Sequence, residues 1–340
     1  MMSTNSHTSL NTRTLTQGTI AVFTLLTVLA GMLGPMQSAV NGQAGKRLGD
    51  GHLAAVVSFG TGLVLMLIIV LSRRKTRDAL TALPGQLRRG VVPWPNFFAG
   101  LCGAVIVLSE GISVGSLGVA TFETSLISGL VISGIVCDRL GIGVERRQAL
   151  SITRGFGALL AIVATLLVVS PHFEAPKVIA LAILPFVGGL LAGWQPAGNS
   201  TIGKLADSML VSITWNFIVG FSALGLAFLV RVALGKASFG LPPQWWMYLG
   251  GPLGLLSIAL MALLVRRLGL LLLALASTAG QLIGSILIDW LIPALGNQIY
   301  GVTIIGALVA LAASAIAMVP SKTVAGRVEG TPVIAEAELS

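Results

Sequence analysis

Four carboxyl groups stand inside or at the ends of long apolar runs: Glu110, Glu123, Asp138 and Asp289. An ionisable group surrounded by hydrocarbon is costly, so it is a functional candidate by default, here for exchanging a proton against a charged solute. Glu123 is the leading candidate for such coupling and Glu110 its expected neighbour; the alternative is a Glu that only hydrogen-bonds a neighbouring helix. Asp138 adjoins Arg139 and reads as a cap or an interfacial ion pair. Amides form the second polar set. The stretches "QSAVNGQAGKRLG" (Gln37 to Gly49) and "QPAGNSTIGKLAD" (Gln195 to Asp207) carry Gln, Asn, Gly and Lys in the same order. Gln37 with Asn41, and Gln195 with Asn199, are spaced i, i+4, so each pair projects from one face of a helix. Amides facing lipid are costly, so these faces point inward, either lining a polar cavity or bonding helix to helix. Trp215, Asn216 and Gln281 complete the candidate substrate contacts, while Lys46 and Lys204 read as anchors that reach the membrane surface.

The elements that must position these groups follow from composition. Of 340 residues, 55% are hydrophobic and only 10% charged, and the mean hydropathy is +0.93. Such a chain belongs in a bilayer. Ten apolar runs have the length that crosses a hydrocarbon core, at about 17–37, 52–72, 92–113, 117–138, 149–170, 177–197, 208–231, 245–265, 267–292 and 298–319. The alternation of barrel strands is absent, so they read as helices. Polar tails are expected at 1–16 and 321–340, disordered and cytoplasmic, and a cleaved signal peptide is not expected because the N-terminal stretch carries only Arg13. Cys102, Cys137 and the three His show no ligand spacing, so no metal or cofactor is expected. "GNSTIGKL" has the order of a phosphate loop, but Leu205 stands where Ser or Thr belongs. The "WWMY" cluster at Trp245 to Tyr248 reads as an interfacial aromatic belt.

The two halves repeat. An offset of 158 pairs Gln37, Asn41, Gly45, Lys46, Phe59 and Gly62 with Gln195, Asn199, Gly203, Lys204, Phe217 and Gly220. It shortens to 151, pairing Gly100, Gly103, Leu117, Gly118 and Asp138 with Gly251, Gly254, Leu268, Gly269 and Asp289, and ends at 149, where Gly157 meets Gly306. The repeats are assigned to 17–171 and 176–320. Five spans each make the second copy inverted. With the N-terminus inside, fifteen of the 21 Lys and Arg fall in inner segments and five in outer ones, which puts both termini in the cytoplasm. The loop "SRRKTRDALTALPGQLRRG" is the strongest such topology signal, with headgroup binding as its weaker interpretation. The net charge of +9 therefore does not point to nucleic acid.

The first span ending in "PMQSAVNGQAGKRLG", the second opening with "SFGTG" or "NFIVG", and "LASTAGQLIGSILID" in the second copy together resemble the YdcZ-type family of bacterial inner-membrane proteins, within the drug/metabolite transporter superfamily. The first copy departs from the last pattern with "FETSLISGLVISGIVCD", so Gln281 faces Leu130 under the offset. The resemblance implies an all-α polytopic protein of ten helices in two inverted five-helix repeats, working as a multi-pass inner-membrane transporter. Convergence of the two motifs across the repeat interface fits a midplane site. The expectation is an ion-coupled exporter of a small metabolite or drug-like molecule by alternating access, not an enzyme. Its partners are substrate and bilayer, and a homo-oligomer is compatible. A non-transporting subunit that stabilises a partner, and more distantly an intramembrane enzyme, are the competing classes.

Overall fold

The computed structural model describes residues 17–142, 151–172, 176–292 and 300–319. The expected tails lie outside the described residues. Among those residues the secondary structure is helical with no strand. The helices are α1 (Gln17–Gly31), α2 (Leu33–Leu48), α3 (Gly51–Leu71), α4 (Arg74–Arg88), α5 (Gly100–Ser109), the single turn α6 (Gly115–Leu117) and α7 (Val119–Leu140). They continue as α8 (Ile152–Val169), α9 (Pro176–Ala192), α10 (Gln195–Leu205), α11 (Met209–Ala233), α12 (Gly250–Leu291) and α13 (Gly301–Met318).

Nine helical stretches of the described residues are long and apolar enough to cross a membrane, and Gly250–Val265 is a shorter apolar helix. The first and sixth runs extend well past their expected ends, to Leu48 and Leu205. Each repeated motif is therefore helical past its Lys, to Leu48 and Leu205, and its amides face the bundle. The helix breaks just before each motif instead. Pro35 has no N–H and its ring crowds the Gly31 carbonyl, and α1 gives way to α2 at Met32. In the second copy the break lies at Gly193 and Trp194, ahead of Pro196 at the start of α10. The expected eighth and ninth spans follow one another directly along α12, which breaks at Gly269. Gly269 has φ 75° and ψ 170°, and its equivalent Gly118, between α6 and α7, has φ 82° and ψ 161°. Only glycine occupies that region freely, so the same residue makes the same joint twice.

The copies pack on each other reciprocally. Gly31 lies against the Ser277 carbonyl and Gly189 against that of Leu126, the equivalent of Ser277. Gly62 meets the Phe217 ring and Gly220 the Phe59 ring; Gly100 meets the backbone of Asn216 and Gly251 that of Ser58. Gly129 with Phe186 and Gly280 with Val28 repeat the exchange, as do Gly157 with Ala313 and Gly306 with Ala164. When i touches j and the equivalent of j touches the equivalent of i, the contact pattern is that of a two-fold relation. Phe59 and Phe217 are each other's equivalents, and their ring centroids stand 5.2 Å apart. Glycine at these crossings lets backbones approach without a Cβ between them, which is how helices associate where burial from water cannot drive them.

Candidate functional site

The two glutamates meet at one serine. Ser38 Oγ on α2 lies 2.7 Å from Glu123 Oε1 on α7 and 3.3 Å from Glu110 Oε1, while Asn41 Nδ2, one turn along α2, donates to Glu110 Oε2 at 2.6 Å. Ser38, Asn41, Glu110 and Glu123 are exposed by 4% or less.

Each is held by local structure that the sequence explains. Glu110 opens a π-helical turn, Glu110–Val114, that interrupts the third span. Such turns free backbone carbonyls and redirect a side chain, and they recur at functional sites. Ser113 Oγ donates to the Ser109 carbonyl and Ser109 Oγ to that of Ile106, both at 2.6 Å. The motif glycines bring α2 onto this turn: Gly45 packs on Gly111, Gly42 on Val114, and Gly51 at the start of α3 also on Gly111. Any Cβ there would push α2 away and part Asn41 from Glu110. Glu123 is placed by the start of α7, whose Val119 and Ala120 N–H groups donate to the two oxygens of Asp289 at 2.9 and 2.8 Å. A carboxylate across a helix N-terminus satisfies donors that have no partner within the helix. Asp289, from the second copy, is thus an anchor for α7 and not a member of the pair.

Donor accounting says what this arrangement can do. A serine hydroxyl has one proton, so it donates to one carboxylate at a time. Both Ser38 contacts are satisfied together only when one glutamate carries a proton and donates it to Oγ. The partners of the pair, Ser38 and Asn41, are neutral. The cluster can therefore hold one proton, with Ser38 linking two alternative places for it.

The amide side of Asn41 is half used. Its Oδ1 is buried, has no partner among the described residues, and lies against Gly250, on which Ser58 Oγ also packs. In the second copy the equivalent oxygen, Asn199 Oδ1, accepts from Asn216 Nδ2, and Ser212 Oγ donates to the Asn199 carbonyl at 2.8 Å. Ser58 is the equivalent of Asn216 and is too short to repeat that bond. Gln37 lies on Gly254 and Gln195 on Gly103, again reciprocally, and Gln281 reaches Gly34 on α2. Trp215 donates its indole N–H to the Phe97 carbonyl at 2.9 Å and stacks edge-on to that ring, near the basic segment and apart from the glutamates. Lys46 and Lys204 are exposed. Asp138 is ion-paired with Arg154 at 2.9 Å, not with its neighbour Arg139.

The candidate residues thus separate into a carboxylate cluster in the first copy and an Asn199–Asn216 cluster in the second. Ser38 was not a sequence candidate. Its equivalent is Pro196, so comparing the copies hides it; the available signal was its position one turn before Asn41 on the polar face.

The family model described as "Putative inner membrane exporter, YdcZ" matches residues 22–167 and again 180–316. The two matches start 158 residues apart and end 149 apart, the offsets that align the copies. No curated protein matches the chain.

Proposed function

The chain belongs to the YdcZ family, and from that premise we propose that it is a proton-coupled exporter in which Glu110, Glu123 and Ser38 hold the coupling proton. It is a multi-pass inner-membrane protein. The observation that carries the proposal is the single hydroxyl shared by two buried carboxyl groups from different helices. A cationic or polar solute that displaces the proton on one side and yields to it on the other would be driven outward by the proton gradient. The substrate class is a small metabolite or drug-like molecule bearing donors for the unpaired Asn41 Oδ1.

In this proposal the Gly118 and Gly269 joints divide the chain into ten spans, five per copy. An odd number inverts one copy relative to the other, with both termini in the cytoplasm, as the charge bias favours. The reciprocal glycine contacts and the matched joints support the two-fold relation. Rocking one copy against the other is supported by two ion pairs that cross between them. Asp50, in the turn after the first span, pairs with Arg231 at the end of α11 (3.3 Å); Asp207, in the equivalent turn, pairs with Lys75 at the start of α4 (2.7 Å). Each bridges the copies at an opposite end of the bundle, so opening an end breaks its own pair.

The test is a ligand-panel thermal shift on the purified chain, followed by proton-release measurements in weak buffer with any stabilising ligand. Binding should release a proton in wild type and none in Glu123→Gln. Proton release of equal size in both proteins would contradict the assignment.

A further inference from the structure

We propose that α4 is a binding surface for the headgroups of anionic lipids in the leaflet it faces. The sequence reading treats this stretch as a charged loop, yet the chain folds it into a helix of 15 residues. Leu80 and Leu83 are buried in a cluster with Met66, Val70, Ile202 and Val211, drawn from both copies. Arg74, Arg77 and Arg88, spaced by three and eleven residues, share one exposed flank of the helix, roughly a third of a turn from the buried leucines. All six basic residues of the segment, including Arg73, Lys75 and Arg89, are exposed. The acid on the helix is Asp78, 3.8 Å from Arg74 and 3.7 Å from Arg77, so one carboxylate is divided between two guanidiniums. Lys75 is engaged by Asp207. Val91 and Trp94, 54% and 67% exposed, follow directly and add apolar and aromatic groups at the same level. An amphipathic helix with a basic outer face and flanking Trp is the form that lies in the lipid interface.

A topology signal alone would need the charges but not the fold. The equivalent connection after α11 holds only a short 3-10 turn, Trp245–Tyr248, before α12. The register between the copies drops from 158 to 151 across this connection, so the first copy's connection is seven residues longer than the second's. Its buried face joins helices of both copies, so bound headgroups would steady the end of the bundle at which Lys75 meets Asp207.

The experiment compares thermal unfolding of the full chain in neutral detergent with added phosphatidylglycerol, phosphatidylcholine or soluble glycerol phosphate. Variants are Arg74, Arg77, Arg88 and Arg89 all changed to Gln, or all to Lys; Lys75 is left in place. Phosphatidylglycerol should raise the midpoint of wild type and the Lys variant, and binding should weaken about fivefold for each charge removed. Salt at about 1 M, where the Debye length is roughly 3 Å, should abolish the effect. Equal shifts with phosphatidylcholine or glycerol phosphate, or an undiminished shift in the Gln variant, would overturn the proposal. Should the Gln variant fail to insert, wild type decides: a phosphatidylglycerol shift that survives about 1 M salt rejects it.

Discussion

Ser38→Ala removes a single buried oxygen and leaves the helix that carries it intact, since Ala is the best helix former. Ser38 Oγ bonds Glu123 at 2.7 Å and lies 3.3 Å from Glu110, so its loss orphans one carboxyl oxygen for certain and loosens a second. Leaving a buried acceptor unsatisfied costs about 1–3 kcal/mol. At about 1.4 kcal/mol per decade, that is a change of roughly fivefold to 150-fold in the population or affinity that depends on the bond. Glu110 keeps Asn41 Nδ2 at 2.6 Å, so the damage falls on Glu123 and on the link between the two carboxyls. Proton-driven transport in proteoliposomes, with a substrate identified by thermal shift, should fall about tenfold or more, and its pH profile should change shape. Ser38→Thr retains the hydroxyl and should restore both rate and profile. If the Ala protein is well folded and transports with the wild-type pH profile, the shared-proton argument is refuted. A loss that Thr does not rescue would assign Ser38 to packing alone.

Four further outcomes are expected. Asn41→Leu should impair transport more than Asn199→Leu, because only Asn41 bonds a carboxyl group, while expression of both persists; equal effects would make the amides packing elements of one kind. Arg231→Gln and Asp207→Asn should shift the accessibility of a single Cys probe in opposite directions, since their ion pairs close opposite ends; shifts of one sign would exclude rocking. Hydrogen bonding to Asp207 holds Lys75 above its ordinary pKa, and the Asp207 carboxyl lies correspondingly below its own. That tie is lost as pH falls through the lowered Asp207 value or rises through the raised Lys75 value, so accessibility governed by it should be flat between about pH 5 and 9. Gly118→Ala forces a side chain into a backbone region that costs about 1–3 kcal/mol, and a thermal midpoint unchanged from wild type would contradict the described joint.

Much of this architecture was legible because a bilayer demands long apolar helices and because a duplicated chain prints its constraints twice. Gly118 and Gly269 could be matched from sequence, yet only the backbone shows that both are breaks, since a glycine inside an apolar run is common in membrane helices. The apolar run stops at 37 while the helix continues to Leu48 for a related reason: "NGQAGK" is polar, but its glycines face Gly111 and Val114 and its asparagine faces a carboxyl group. The pairing of Glu110 with Glu123 was accessible from depth and proximity in the chain. Ser38 between them was not, because long-range register between α2, the π turn and α7 is a tertiary fact. The helix α4 was hidden by its charge, although Leu80, Leu83 and Leu87 already carry a helical period.

The most direct measurement is transport by wild type and Glu123→Gln in proteoliposomes with an imposed proton gradient. Gln keeps the size of Glu and can still accept from Ser38, but it cannot carry the proton. The gradient should accelerate export by wild type and leave the variant at the rate of passive exchange. Gradient-driven transport by Glu123→Gln with an unchanged pH profile would show that the carboxyl pair is structural and that the coupling lies elsewhere.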